Sequence, residues 1–354
     1  MRALARIDAT AIARNTARMA RAAPGAQLCA VVKADGYGHG AATAARAALE
    51  GGASWLAVAA ASEARALREA GIGARLLVLG ALDADELRTA LEADADVVAW
   101  THEFADALPT GARVHVKLDT GMGRLGTRDA GLATSVAERA GDRLAGLMTH
   151  FATADEPGDA FMGEQLERFR AWVQPLRARF PGAVVHAANS AATLRDPAAH
   201  FDMVRPGIAL YGMDPFQEDP AARELEPALE LVTEVMAVKD TAPGESAGYG
   251  RRYVAQRPTQ LATLPIGYGD GWRRALTDNA DALIGGRRFP LVGTVSMDNI
   301  AVDLGLGSGV AVGDEAVLIG AQGAERILAE EVARRLGTIN YEVTCALTPR
   351  VVRA

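Results

Sequence analysis

A chain of 354 residues, 49% hydrophobic and 23% charged, is globular in composition and long for one ordinary domain, so two domains or a large barrel with an addition are expected. A net charge of −7 with no block of basic residues argues against nucleic-acid or anionic-membrane binding. No stretch reaches the roughly 20 apolar residues of a membrane span, and the start, Met1-Arg2-Ala3-Leu4-Ala5-Arg6-Ile7-Asp8, lacks the apolar run of a signal peptide.

In chain order, the first few residues form an extended segment before a helix. Short apolar runs then recur at Leu28–Ala34, Trp55–Ala60, Arg75–Gly80, Asp96–Trp100, Arg113–Asp119, Leu144–His150, Val184–Ser190 and Asp202–Gly212. Between them lie alanine- and leucine-rich stretches with helical spacing. Ser62 or Asp83 suits a helix start and Gly71 a helix end. Eight strands alternating with helices predict a (β/α)8 TIM barrel, with a doubly wound open sheet as the competitor. After about residue 225 the texture changes. Leu231–Lys239, Gln260–Leu264, Phe289–Val295, Ile300–Leu304 and Glu315–Ile319 read as strands between Gly, Pro and Asp turns, with one helix at Ala329–Leu336. The expectation is a barrel over residues 1–225, whose first residues are free to pack on the second domain, and a mostly β C-terminal domain over 226–354.

Cys29 and Cys345 are far apart and in no CxxC. Cys29 lies in an apolar strand, so a buried thiol and a reducing cytoplasm are expected. The six histidines have no metal-ligand spacing, and no metal is predicted.

Active sites of such barrels sit at the C-terminal ends of the strands. There the polar residues gather. Lys33 closes the first apolar run and precedes the glycine-rich Asp35-Gly36-Tyr37-Gly38-His39-Gly40. Burial lowers the pKa of such an amine. Beside a loop whose amides face an anion, it suits a Schiff base to a phosphate-bearing aldehyde. Arg124 follows the fifth strand, His150 ends the sixth, Asn189 and Ser190 end the seventh, and Arg205-Pro206-Gly207 lies on the eighth. Each has a plain structural explanation alone: an ion pair for either arginine, a satisfied core histidine, a helix cap for Ser190. Together they describe a site that binds anions and moves protons. Gly121-Met122-Gly123-Arg124-Leu125-Gly126 fits G-x-G-x-x-G, but the next strand ends in His150 rather than the acidic residue a dinucleotide ribose needs.

These residues resemble the alanine racemase family along the whole chain. The matching segments are Val32-Lys33-Ala34-Asp35-Gly36-Tyr37-Gly38-His39-Gly40, Lys117-Leu118-Asp119-Thr120-Gly121-Met122-Gly123-Arg124, Thr149-His150-Phe151, Asn189-Ser190 and Val204-Arg205-Pro206-Gly207-Ile208-Ala209-Leu210-Tyr211-Gly212. Gly248-Tyr249-Gly250, Ser296-Met297-Asp298 and Ile339-Asn340-Tyr341-Glu342 follow in the second domain. The resemblance implies that Lys33 holds pyridoxal 5'-phosphate, whose phosphate meets the hydroxyls of Tyr37, Ser190 and Tyr341 and the amides around Gly207 and Ile208. It further implies that His150 and Asn189 belong to the cofactor site and that Arg205 faces the pyridine nitrogen. Arg124 would bind the substrate carboxylate and Met297 would line the pocket. Lys33 and Tyr249, the latter from a partner chain, would be the two bases, making a homodimer obligatory. Lys117 matches a position often carbamylated in the family, and Ser296 replaces a cysteine of some members.

The implied activity is interconversion of L- and D-alanine, in supply or consumption of D-alanine for peptidoglycan. Serine is not excluded, because one extra atom in a hydrophobic pocket changes binding by only ~1–3 kcal/mol. The alternatives are a non-catalytic carrier of the cofactor and a decarboxylase of related barrel fold. The added β domain and Tyr249 speak against the first. Arg205, where a decarboxylase needs an acidic residue, speaks against the second.

Overall fold

The computed structural model describes residues 3–354, and these divide into two units, Ala9–Phe216 and residues 3–8 together with Gln217–Ala354. In the first unit, β2 (Gln27–Val31), β3 (Trp55–Val58), β4 (Arg75–Val78), β5 (Ala95–Ala99), β6 (Val114–Lys117), β7 (Leu144–Met148), β8 (Val184–His186) and β9 (Met203–Val204) form a closed barrel. All neighbours are parallel, and β9 returns to β2 through Gln27 opposite Met203 and Leu28 opposite Val204. The expected barrel is therefore present, not the open sheet.

The strands are shorter than the apolar runs. Each ladder stops before its polar residue: β2 at Val31 rather than at Lys33, β7 at Met148 rather than His150, β8 at His186 rather than Ser190. Burial continues past the last ladder bond, at Val32, Leu118 and Thr149, so apolar character overstates strand length. Lys33 and His150 sit on the turns beyond, and Ser190 opens the helix Ser190–Arg195.

The helices between strands owe their form to local signals. In Ala84–Glu92, Asp83 accepts the N–H groups of Asp85 and Glu86 at 2.9 Å each, and Glu86 accepts that of Asp83 at 3.1 Å. Such a cap contributes about 1 kcal/mol. Ser62 lies inside the helix Ala61–Glu69, whose N-cap position is Ala60, and Gly71 follows that helix with φ of 77°. Small residues let helices lie flat: Ala44, Ala45, Ala47 and Ala48 of Ala41–Glu50 are all buried.

In the second unit a ten-stranded, mostly antiparallel sheet runs in the order 237–241, 259–264, 300–305, 287–292, 281–284, 315–322, 229–234, 4–7, 352–353, with 325–327 beside 315–322. The extended start is β1 (Leu4–Ile7), antiparallel to Leu229–Glu234 and parallel to Val352–Arg353. The run Leu231–Lys239 is two strands, because the chain changes sheet partner around Val235 and Met236. Asp281–Ile284, not anticipated, pairs with Arg287–Val292 across Gly285-Gly286, whose φ values of 57° and 73° suit a tight hairpin. The helix Ala329–Leu336 is as expected, and a further one, Asn340–Cys345, carries Tyr341. No helix among the described residues is long and apolar enough to cross a membrane.

Candidate active site

The chain after β2 takes a conformation that L-residues avoid. Ala34, Asp35, Gly36 and Tyr37 have φ between 52° and 60°, and Gly38 follows at 85°. This is one left-handed turn immediately after Lys33. Left-handed backbone costs roughly 1–2 kcal/mol per non-glycine residue, so Ala34, Asp35 and Tyr37 together cost on the order of 3–6 kcal/mol. Hydrogen bonds hold the turn: Gly38 N–H to Ala34 O at 3.0 Å, Gly40 N–H to Asp35 O at 2.9 Å and Ala41 N–H to Asp35 Oδ1 at 2.8 Å. The turn brings Tyr37 inward, where its ring lies 5.0 Å from that of Tyr211.

Ser190 faces the same place. It is not the helix cap. Asn189 takes that role, its Oδ1 accepting from Ala192 N–H at 2.9 Å. Ser190 Oγ accepts instead from Gly207 N–H at 2.8 Å and Ala209 N–H at 3.3 Å. A Cβ on Gly207 would come 2.5 Å from Tyr37 Oη. Two hydroxyls and the amides at the start of the Ile208–Tyr211 turn thus converge in a space that admits no side chain. This donor set fits a phosphate, and the amine of Lys33 borders it in sequence, so the residues present fit pyridoxal 5'-phosphate.

Arg205 is buried, and its Nη2 donates to Thr149 O at 2.8 Å and to Ala187 O at 3.0 Å. Burial brings its pKa down to about 10. Its Nη1 contacts His186 Nδ1 at 2.7 Å, His186 Nε2 contacts His115 Nδ1 at 2.7 Å, and His115 Nε2 contacts Asp96 Oδ2 at 3.0 Å. Asp96 also accepts from Arg75 Nη2 at 2.7 Å and Arg113 Nε at 2.5 Å. Burial alone would raise the Asp96 carboxyl, but its bonds to His115, Arg75 and Arg113 hold it far below the usual carboxylate range. Burial pushes both histidines down, His186 strongly, with Arg205 adding to the fall. Both rings are neutral, so the donors have one assignment. A carboxylate only accepts, so His115 carries its proton on Nε2, His186 on Nε2, and Arg205 donates into His186 Nδ1. Every donor in this relay points from Arg205 toward Asp96. Gly146 makes room for it, since a Cβ there would lie 2.1 Å from His115 Nδ1.

His150 Nδ1 lies 3.3 Å from Arg205 Nη2. Burial, then the cations Arg205, Lys117, Arg124 and Lys33, hold His150 well below its usual pKa. The guanidinium facing His150 Nδ1 has no acceptor, so neutral His150 carries its proton on Nε2. Lys117, buried at the end of β6, is lowered to about 8 by burial, then by Arg205 and Arg124. Arg124 is exposed and has no ion-pair partner among the described residues, as a group reserved for a ligand carboxylate would be. Its glycine loop closes on the protein itself: Gly121 N–H and Gly123 N–H donate to Asp119 at 3.0 and 3.1 Å, which leaves no nucleotide cradle.

In the second unit, Tyr249 is 75% exposed and Met297 51% exposed, while Tyr341 is half-buried. Tyr249 lines an open cleft of about 370 Å3 with Thr294, Ser296 and Asn299, and its carbonyl accepts from Thr294 Oγ1 at 2.7 Å.

The sequence reading did not single out Asp96, His115 or His186. The available signal was an aspartate and two histidines inside strands that a closed barrel buries on both faces.

Comparison with known proteins adds an independent line. Family models described as the alanine racemase N-terminal and C-terminal domains match residues 7–215 and 228–354. The chain is 43% identical to a protein named alanine racemase from Symbiobacterium thermophilum, over 99% of this chain and 96% of that one. It is also 43% identical to one from Geobacillus kaustophilus, over 98% and 92%. Among solved structures, an alanine racemase of D-cycloserine-producing Streptomyces lavendulae superposes with a TM-score of 0.93 at 37% identity, covering 100% of this chain and 97% of that one. One from Bacillus anthracis with bound L-Ala-P gives 0.89 at 36%, covering 100% and 95%.

Proposed function

Because the chain belongs to the alanine racemase family, and is accordingly an isomerase of the racemase class, we propose that it interconverts L- and D-alanine on pyridoxal 5'-phosphate, by a two-base mechanism with Lys33 and Tyr249. The observation that supports the site assignment is the convergence of Tyr37, Ser190 and the Gly207 backbone, on the turns that follow Lys33 and Arg205 in sequence. Tyr37, Ser190 and Tyr341 hold the phosphate, with the Gly207 and Ile208 amides, and His150, Asn189 and Arg205 complete the cofactor site. When bound, the cofactor withdraws electrons from the substrate α-carbon and so acidifies its proton.

Racemisation removes that proton from one face and returns one on the other. Lys33 Nζ serves one face. The phenol of Tyr249, contributed by a partner protomer of a homodimer, serves the other. A phenol titrates near ~10, so it needs a donor and positive field, which His150 Nε2–H and Arg205 supply. Arg124 binds the substrate carboxylate through charge-assisted bonds and fixes the α-carbon relative to both bases. Met297 lines the pocket, which limits the substrate side chain. Arg205 cannot accept a proton and, with the cofactor held, would disfavour protonation of its ring nitrogen.

Lys117, with a pKa near 8, has enough neutral amine at neutral pH to take up carbon dioxide. The resulting carbamate provides the anion that orients Arg124. A carbamate resonance in 13C-bicarbonate, lost in Lys117→Ala, supports this; no such resonance refutes it. The setting is cytoplasmic, and the product or substrate is the D-alanine of peptidoglycan metabolism.

The deciding assay is D-alanine formation from L-alanine, with and without added cofactor and with L-serine alongside. Cofactor-dependent turnover of alanine above serine, abolished in Lys33→Ala and strongly reduced in Tyr249→Phe, is expected. A wild-type rate in Tyr249→Phe in both directions refutes the two-base assignment.

A further inference from the structure

Glu63 lies on the helix after β3, outside every group assigned above. Its carboxylate accepts three backbone N–H groups from two different loops. Oε2 takes Ala59 at 2.8 Å and Ala60 at 3.1 Å, in the turn that follows β3. Oε1 reaches across to the neighbouring βα turn and takes Ala34 at 2.6 Å. Ala34 N–H belongs to the peptide joining Lys33 to the left-handed turn.

That peptide is the pivot of the site. Its plane sets ψ of Lys33 and φ of Ala34, and hence both the direction of the Lys33 side chain and the entry into four successive left-handed residues. Such backbone persists only where its surroundings over-determine it. The bonds within the turn start at Gly36 N–H to Val32 O, 3.0 Å, and run on to Ala41, but none of them takes the N–H of the Lys33–Ala34 peptide. The Lys33–Ala34 peptide is held by Glu63.

A helix-capping role does not account for this geometry. Glu86 occupies the corresponding position in the next βα unit and accepts from the Asp83 N–H at its own helix start. In the Glu63 helix the N-cap is Ala60, which has no side-chain acceptor. Glu63 carries the start of its own helix on one oxygen and the neighbouring turn on the other. A carboxylate is the group for this task, because both its oxygens only accept. A glutamine would turn an NH2 toward one of the N–H donors.

We propose that Glu63 is a positioning residue for Lys33, clamping the Lys33–Ala34 peptide so that the amine is held in register with the phosphate cradle. This rests on Lys33 being the cofactor-bearing base.

The test compares Glu63→Gln, Glu63→Asp, Glu86→Gln and Lys33→Ala in the full chain. Amide exchange at Ala34 is followed with and without pyridoxal phosphate, alongside kcat and KM for L-alanine and the rate of borohydride-trapped cofactor loading. For Glu63→Gln the expected result is at least tenfold faster exchange at Ala34 in both states. Cofactor loading slows several-fold and kcat falls at least tenfold, with KM within about twofold, since Arg124 is untouched. Glu63→Asp does not rescue, being one methylene too short to span both turns. Glu86→Gln removes the carboxylate charge at the corresponding position of the next helix and keeps kcat. Wild-type kcat and wild-type Ala34 exchange in Glu63→Gln, beside an inactive Lys33→Ala, overturn the inference alone. An equal fall of kcat in Glu86→Gln also overturns it, in favour of general helix capping. Retained racemisation by Lys33→Ala overturns the role of Lys33 itself.

Discussion

Replacing Asp96 by asparagine removes the one anion on which the barrel's internal relay ends. The side chain is fully buried and receives Arg75, Arg113 and His115. Removing one partner of a buried ion pair typically costs 3–5 kcal/mol. Arg75 and Arg113 are 38% and 35% exposed, so water screens part of the loss. The lower end, about 3 kcal/mol at pH 7, is the expected destabilisation for Asp96→Asn. The effect has a defined pH dependence. The native carboxyl is held far below its unfolded value, so its contribution is complete above the unfolded pKa near ~4 and is lost as pH falls through the native pKa. Wild type and variant therefore differ most at neutral pH and converge below about pH 4. Denaturant titrations at pH 7, 5 and 3, followed by fluorescence, measure this. Trp55 is a local reporter, with Arg75 stacked 3.9 Å from its ring centroid and His115 edge-on at 5.7 Å. A loss below about 1 kcal/mol at pH 7, or a difference that does not change with pH, refutes the assignment of Asp96 as the relay's ionised terminus.

Three further outcomes are expected. His115, His150 and His186 all have native pKa values below the unfolded value, so the unfolded chain takes up their protons first. Stability is then complete above pH ~6.5 and declines below it, by up to about 1.4 kcal/mol per pH unit for each histidine; a flat profile between pH 6.5 and 5 contradicts this. Gly207→Ala forces a methyl against Tyr37 Oη, so cofactor affinity measured by absorbance titration falls at least tenfold; unchanged affinity removes the cradle from the phosphate site. Arg205→Glu places an acceptor where a permanent donor stood, which raises side products such as the transaminated cofactor, seen by its absorbance. Their absence contradicts the role given to Arg205.

The barrel was legible because eight apolar runs with helical spacers permit few other architectures. The rim residues were legible because a lysine, a histidine and two arginines at apolar run ends are hard to explain by packing. The relay was not. Asp96 stands between Ala95 and Val97, and His115 between Val114 and Val116; only barrel closure brings positions 96, 115, 186 and 205 within hydrogen-bonding distance. Glu63 was hidden for another reason. A glutamate at the third position of a helix reads as an ordinary cap, and its second bond to Ala34 depends on the parallel register of β2 and β3. The Asp281–Ile284 strand escaped because four residues opening on an aspartate carry little alternation.

The pairing of β1 has a consequence for how the chain is made. Leu4 finds its partners in Val232 and Val352, so the first strand leaves the ribosome more than two hundred residues before either exists. Contacts of such sequence separation close late, after the entropy of a long loop has been overcome. Until then Leu4–Ile7 is a loose strand with unpaired edges, the kind of segment that seeks neighbouring chains in a crowded cell. The sheet of the second unit therefore draws on segments more than two hundred residues apart, and it closes around Leu4–Ile7 only after residues 229–234 and 352–353 have been made.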